Sequence, residues 1–234
     1  MRIISFVIFT FLSLSFVAKK PSYTFLAIGD GYTKGIGVEK EQRWTNLIVQ
    51  EFEKQNIKFK MVGNLADSAY TVKDAIRFHI GDIEAQQANI ITIMLGSTEA
   101  MHEMSSEEFK SDYSKLLTLT LAQVASHNSL LLITIPDFTA TPMGRQLTRG
   151  FDARQKIIDF NNIIIQLAKE QNIKVFDIFG QSDQLGKNEA LLAKNGVFPS
   201  SYGHQAWAEM LFPEIEYLIN IPLAKDLKKK YRKD

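Results

Sequence analysis

The chain contains no cysteine among its 234 residues. That excludes disulfides, thiolate zinc sites, a thiol nucleophile and a lipidated N-terminal cysteine, and it leaves the redox compartment open. Charge of one sign is also missing: 27 Lys and Arg stand against 26 Asp and Glu, a formal net charge of +1. No nucleic-acid partner is therefore expected from the whole-protein charge. The four histidines, His79, His102, His127 and His204, show no i, i+4 pair and no clustered ligands. No metal and no cofactor are expected from such a set. Internal repeats, low-complexity tracts and a linker long enough to divide the chain are absent as well.

What is present suits a single domain with a substantial core, since 45% of the residues are hydrophobic. The one long apolar run lies at the start. Arg2 precedes Ile3 to Ala18, and Lys19 and Lys20 follow. A basic end, a short greasy centre and small residues around Ser13 to Ser15 read as a signal peptide over residues 1–18, with Ala18 as a second cleavage point. Export to the periplasm or medium is the expectation, and an uncleaved N-terminal anchor is its rival. After removal of the run no membrane span remains. At the other end, residues 223–234 form a basic tail with Lys225, Lys228, Lys229, Lys230, Arg232 and Lys233, read as a solvated, frayed end.

Between these ends, over residues 22–222, strand and helix patterns alternate. The centre is the stretch Tyr23 to Gly37, where an apolar strand runs into Gly29-Asp30-Gly31 and a second glycine pair, Gly35 and Gly37. Apolar residues at helical spacing follow from Glu39 to Gln55, then a short strand over 58–62 and a loop from Asn64 to Thr71. Thr71 caps the next helix. Asn89 to Leu95 and Ser129 to Ile135 are uncharged, branched runs of the kind parallel sheets bury on both faces. Ser105 and Glu108 form a capping box for a helix to about Ser126. Thr139 to Thr148 reads as a polar loop, 152–171 as a long helix and 173–178 as the fifth strand. A short helix over 185–193 and a last helix from Ser200 or Ser201 to about Ile219 complete the chain. The expected fold is α/β, with three layers around a five-stranded parallel sheet in the order 2-1-3-4-5.

Five local blocks, in order, resemble the SGNH (GDSL-type) hydrolases, in particular their small exported bacterial esterases. They are Gly29-Asp30-Gly31-Tyr32-Thr33 with Arg43-Trp44, Asn64 to Thr71, Leu95-Gly96-Ser97-Thr98, Ile135-Pro136-Asp137, and Asn195-Gly196-Val197-Phe198-Pro199-Ser200 with Trp207-Ala208. The resemblance implies a serine nucleophile at position 31, a histidine base at 198 and an aspartate at 195. It implies an oxyanion hole from the backbone N–H groups at 31 and 69 and an asparagine side chain at 98. This chain carries Gly31, Phe198, Asn195, Ala69 and Thr98 there. A hydrogen atom cannot attack, a phenyl ring cannot take a proton, and threonine is shorter than asparagine. Losing a triad member leaves roughly 10³–10⁴-fold catalysis over water, and losing a hole donor costs on the order of 10²–10³ more. The expectation is a pseudo-hydrolase that binds or scaffolds, with a small acyl, acetyl or glycan ligand as its partner.

Two other readings of the same residues stay open. An active hydrolase could use a displaced nucleophile, Ser68 or Ser97, or an acid–base pair such as Asp30 with His102 or Glu99. More blandly, Asp30 holds its turn, Glu99 is solvated, the four histidines have surface or capping roles, and Trp44 and Trp207 pack. Phe198 itself could fill the space of an acyl group and close the cleft.

Overall fold

The computed structural model describes residues 22–230 apart from Glu103, Ala125 and residues 149–151, with side chains described as far as Asn220. The expected signal segment and the last four residues of the basic tail lie outside the described residues. A five-stranded, all-parallel sheet forms from β1 (Ser22–Gly29), β2 (Lys58–Ala66), β3 (Ile90–Met94), β4 (Leu130–Ile133) and β5 (Lys174–Phe176), in the order β2-β1-β3-β4-β5. The expected order holds. Every residue of β3 and β4 is buried, as the lack of charge in those runs requires of strands covered on both faces.

The helices are α1 (Gly31–Lys34), α2 (Trp44–Lys54), α3 (Val72–Gln86), α4 (Ser97–Met101), α5 (Ser106–Gln123), α6 (Pro142–Leu147), α7 (Ala153–Glu170), α8 (Phe179–Lys187) and α9 (Ser201–Lys230). The helices α3, α5 and α7 pack side by side and α2 packs on α9. Right-handed crossovers put the first group on one face and the second on the other. Local chemistry sets the helix starts. Thr71 and Asp74 cap α3 reciprocally, Ser105 accepts from the Glu108 N–H, and Asp152 accepts from the Gln155 N–H.

Several boundaries depart from the sequence reading. Residues 64–66 belong to β2, not to a loop. The sequence pattern ends the strand at Val62 and starts a loop at Asn64, but pairing jumps from Phe25↔Met61 to Leu26↔Gly63; Val62 is absorbed as a bulge and the strand resumes. The expected polar loop 139–148 contains α6, started by Thr141 as N-cap with Pro142 in its first turn. The short helix expected at 185–193 is α8, which begins earlier at Phe179 and is followed by a 3-10 turn over Glu189–Leu191. The last helix does not stop near Ile219 but continues past Pro222 to Lys230, where two leucines, one alanine and four lysines over residues 223–230 favour helix.

Candidate functional site

The carboxyl end of β1 is where this topology collects ligands and reacting groups. The chain leaves β1 at Gly29, and Asp30 caps α1 by accepting the Tyr32 N–H at 3.1 Å. Gly31 is the first residue of α1. Facing it is the loop between the Glu189–Leu191 turn and α9. A Cβ built on Gly31 would lie 2.5 and 2.6 Å from two carbons of the Phe198 ring, and 3.1 Å from the Ile36 side chain. The space where a side chain at position 31 would begin is filled by phenyl carbon.

The ring is held from several directions. Tyr32 meets it edge-on, with centroids 4.9 Å apart, and stacks on Trp207 at 5.7 Å. The Tyr32 hydroxyl donates to the Val197 carbonyl, and the Trp44 indole N–H donates to the Tyr32 carbonyl. Both tryptophans are buried packing residues. Asn195 turns its amide oxygen back into its own loop, accepting from Val197 N–H at 3.1 Å and Phe198 N–H at 2.9 Å. The side chain at 195 thus sets the backbone direction from which Phe198 reaches Gly31. Asn195→Ala should cost about 1–2 kcal/mol by leaving two N–H groups without this acceptor. Asn195→Asp, which keeps the acceptor, should leave chemical-denaturation midpoints near the parent value.

The carboxylates behave unlike surface acids. Asp30 is buried, and its second oxygen accepts a hydrogen bond from the Ser97 hydroxyl at the start of α4. Burial pushes its pKa up to about 6 against the pull of these donors. Glu99 is not solvated as expected; it is 2% exposed. One oxygen accepts the Val72 N–H at the start of α3, while the other is buried without a partner among the described residues. Burial raises its pKa to about 7, with the Asp30 and Asp112 charges adding to the rise. The buried Tyr113 hydroxyl, on α5, also has no partner among the described residues. Burial, with Glu99 and Asp30 nearby, keeps it protonated. The two acids are therefore electrostatically coupled, as a pair at one end of the sheet must be.

The remaining sequence candidates fall as follows. Thr98 is buried in the first turn of α4. Ala69 and Ser68 are exposed in the loop after β2, which the Lys34–Asp67 ion pair at 3.6 Å ties to α1. His102 ends α4, is exposed, and makes no hydrogen bond to Asp30 or Ser97 among the described residues. His127, also exposed, meets the Gln171 carbonyl at 2.7 Å.

His79 departs from the surface or capping role expected of it, whereas His204 takes a capping role in a buried setting. His79 is buried inside α3 beside Tyr70. His204 is buried on α9, where Nδ1 accepts the Trp44 N–H at 3.3 Å and so caps α2 from another helix. Burial, aided by Arg43, pushes its pKa down to about 4. No histidine ring is hydrogen-bonded to a serine among the described residues. Sequence reasoning passed over Tyr32, whose only signal was its place directly after Gly31.

This geometry sits on a shared scaffold. The GDSL-like lipase/acylhydrolase family model matches residues 27–206, and the chain belongs to that family. An acetylxylan esterase, Axe2, from Geobacillus stearothermophilus superposes with a TM-score of 0.67 at 20% identity, covering 84% of this chain and 95% of that one. A lipase/acylhydrolase from Enterococcus faecalis gives 0.68 at 15% identity, covering 82% and 95%. An α/β hydrolase from the Lake Arreo metagenome gives 0.67 at 18%, covering 86% and 98%. At these identities the likeness is one of fold. No curated protein sequence matches the chain.

Proposed function

We propose that this protein is an exported pseudo-hydrolase of the GDSL family, acting as a binding or scaffold module. The observation that carries the reading is the pair Gly31 and Phe198. Position 31 offers no hydroxyl, and phenyl carbon lies 2.5 Å from where a side chain there would start. An acyl group approaching along the family's route would meet the ring before it met a nucleophile. The surviving backbone N–H groups and apolar rim suit a small acyl, acetyl or glycan ligand beside this plug. The apolar run from Ile3 to Ala18 supports export.

One contact favours the rival reading, an active enzyme with a displaced nucleophile. The Ser97 hydroxyl donates to Asp30, which is a serine–carboxylate pair with the donor already aimed at a base. Against it, Ser97 is 4% exposed, and a carboxylate with a pKa of about 6 is a weak base for a serine hydroxyl.

Assay with p-nitrophenyl acetate and butyrate, followed by a fluorophosphonate probe and mass spectrometry, separates the two. Rates equal to buffer and an unlabelled protein are expected. Turnover that disappears in Ser97→Ala, or a phosphonate on Ser97, would replace the pseudo-hydrolase reading with the displaced-nucleophile one. Melting shifts across acetylated xylo-oligosaccharides and short fatty acids then divide binder from scaffold. A shift with either panel assigns binding.

A further inference from the structure

We infer that Glu99 is a proton-operated latch: protonated, it holds the loop 67–71 and the start of α3 against α4, and on ionisation it lets them go. This does not depend on what the Gly31 end binds. The loop carries Ala69, where the family resemblance puts an oxyanion-hole N–H, so the latch acts on one edge of that end. Two tethers join the loop to its surroundings. One is the Lys34–Asp67 ion pair, exposed on both sides, and such pairs hold weakly. The other is buried. The Glu99 carboxyl, on α4, accepts the Val72 N–H at 2.5 Å. Val72 is the first residue of α3, so its N–H has no acceptor within its own helix. Thr71 and Asp74 cap each other and leave that N–H to Glu99.

The setting suits Glu99 without charge. It is 2% exposed, and its second oxygen has no donor among the described residues. The groups that face it are acids and a phenol: Asp30 from the end of β1, and Asp112 and Tyr113 from α5. No cation pairs with it among the described residues. Lys73, beside Val72 on α3, holds Glu108 at 2.8 Å and Asp112 at 3.5 Å instead. The helix α7 also packs on α4, but its Arg154 is turned to Asp137 and its Lys156 to the Phe160 ring. The positive end of α3 favours charge on Glu99, yet one N–H cannot replace the water around a carboxylate. Ionisation therefore favours the arrangement in which Glu99 reaches water, and it reaches water by leaving Val72.

The linkage has a definite sign. Latched, Glu99 keeps its proton up to about pH 7; hydrated, it ionises near the ordinary 4.5. The latch is complete below the lower value and weakens as pH rises. The opening equilibrium grows about ten-fold per pH unit between the two values and levels off above them.

The test is amide hydrogen exchange of the full chain from pH 5 to pH 8, corrected for the pH dependence of the chemical step. Protection of the Tyr70, Val72 and Ala75 amides, all bonded in the latched state, should fall on the order of 10–100-fold. The fall should depend little on dilute urea, because a local opening exposes little surface. In Glu99→Gln the protection should stay constant with pH. The other titratable groups against the loop are Asp67, Asp74 and His79, which lies beside Tyr70 and Asp82; all are unchanged in that variant. Val72→Pro cuts the latch from the other side. Proline is tolerated at the first helical position, and Thr71 before it is already extended. In this variant Tyr70 and Ala75 should exchange at pH 5 as fast as in the parent at pH 8. A parent without pH dependence, a response that survives in Glu99→Gln, or slow exchange at pH 5 in Val72→Pro would each overturn the proposal. So would a loss of protection shared equally by β3 and β4 and steep in urea, which would mark global unfolding.

Discussion

Gly31→Ser is expected to lower stability by about 1–3 kcal/mol, the usual cost of overpacking, and to give no esterase. Two effects of opposite sign meet at this position. Gly31 lies in α1, where a residue with a Cβ gains up to about 1 kcal/mol in helix propensity. Against that, the new Cβ would sit 2.5 Å from the Phe198 ring. Accommodation must come from the ring, which is fixed by Tyr32 and by a loop tied through Asn195. Swinging it away breaks the edge contact and exposes apolar surface, so the clash outweighs the propensity gain. For a domain of this size the melting temperature should fall by roughly 2–4 °C per kcal/mol.

The cause is testable by a double-mutant cycle. Gly31→Ala should destabilise the parent, yet be neutral or stabilising in a Phe198→Ala background, with a coupling on the order of 1–3 kcal/mol. Additive effects would show that the ring does not oppose a side chain at 31. Replacing the ring also allows restoration to be tried. The combination Gly31→Ser, Thr98→Asn, Asn195→Asp and Phe198→His should hydrolyse p-nitrophenyl acetate at least ~10²-fold faster than the parent, because the triad acts as a unit. Each single substitution should stay at background. A silent quadruple variant would mean that the scaffold no longer positions these groups.

The second large effect is a pH-dependent gain in stability from Glu99→Gln. Burial raises the Glu99 pKa from its ordinary 4.5 to about 7 in the folded chain. Between those values the folded state holds a proton that the unfolded state has released. The stabilisation is complete below about pH 4.5 and is lost as pH rises through 7. Across that window it amounts to on the order of 3 kcal/mol. Asp30 acts in the same direction at lower pH.

His204 acts in the opposite sense. Its folded pKa is pushed from 6.5 down to about 4, so its contribution is present above 6.5 and is lost as pH falls toward 4. In the parent the two nearly cancel over the shared window, and the overall curve conceals both. The difference between parent and variant does not. From pH 5 to pH 8, Glu99→Gln should gain about 3 kcal/mol relative to the parent in urea unfolding. Glutamine keeps the acceptor for the Val72 N–H, which limits its cost at low pH. A constant difference across the range would show that Glu99 is ionised in the fold at neutral pH.

Much of this protein was legible in one dimension. Uncharged branched runs such as Ile90–Met94 and Leu130–Ile133 read as buried parallel strands because burial on both faces leaves no place for a charged residue. Thr71 and Ser105 read as caps because they bond to N–H groups three residues away. Boundaries failed where tertiary pairing overrode a local signal, as at the Val62 bulge in β2. The identity of residue 31 and residue 198 was likewise a matter of sequence alone.

Their meeting was not. The contact of Phe198 with Gly31, the turning of Glu99 toward the Val72 N–H, and the capping of α2 by His204 join residues far apart in the chain. The spacing that reveals a helix face or a cap reports on a few neighbouring positions. Which side chain lies opposite, and whether water reaches it, is decided when the loops close over the end of the sheet. Sequence determined which chemical groups this protein owns at that end. Only the folded arrangement decided that a phenyl ring stands where a side chain would begin, and that Glu99 at the same end of the sheet is out of water's reach.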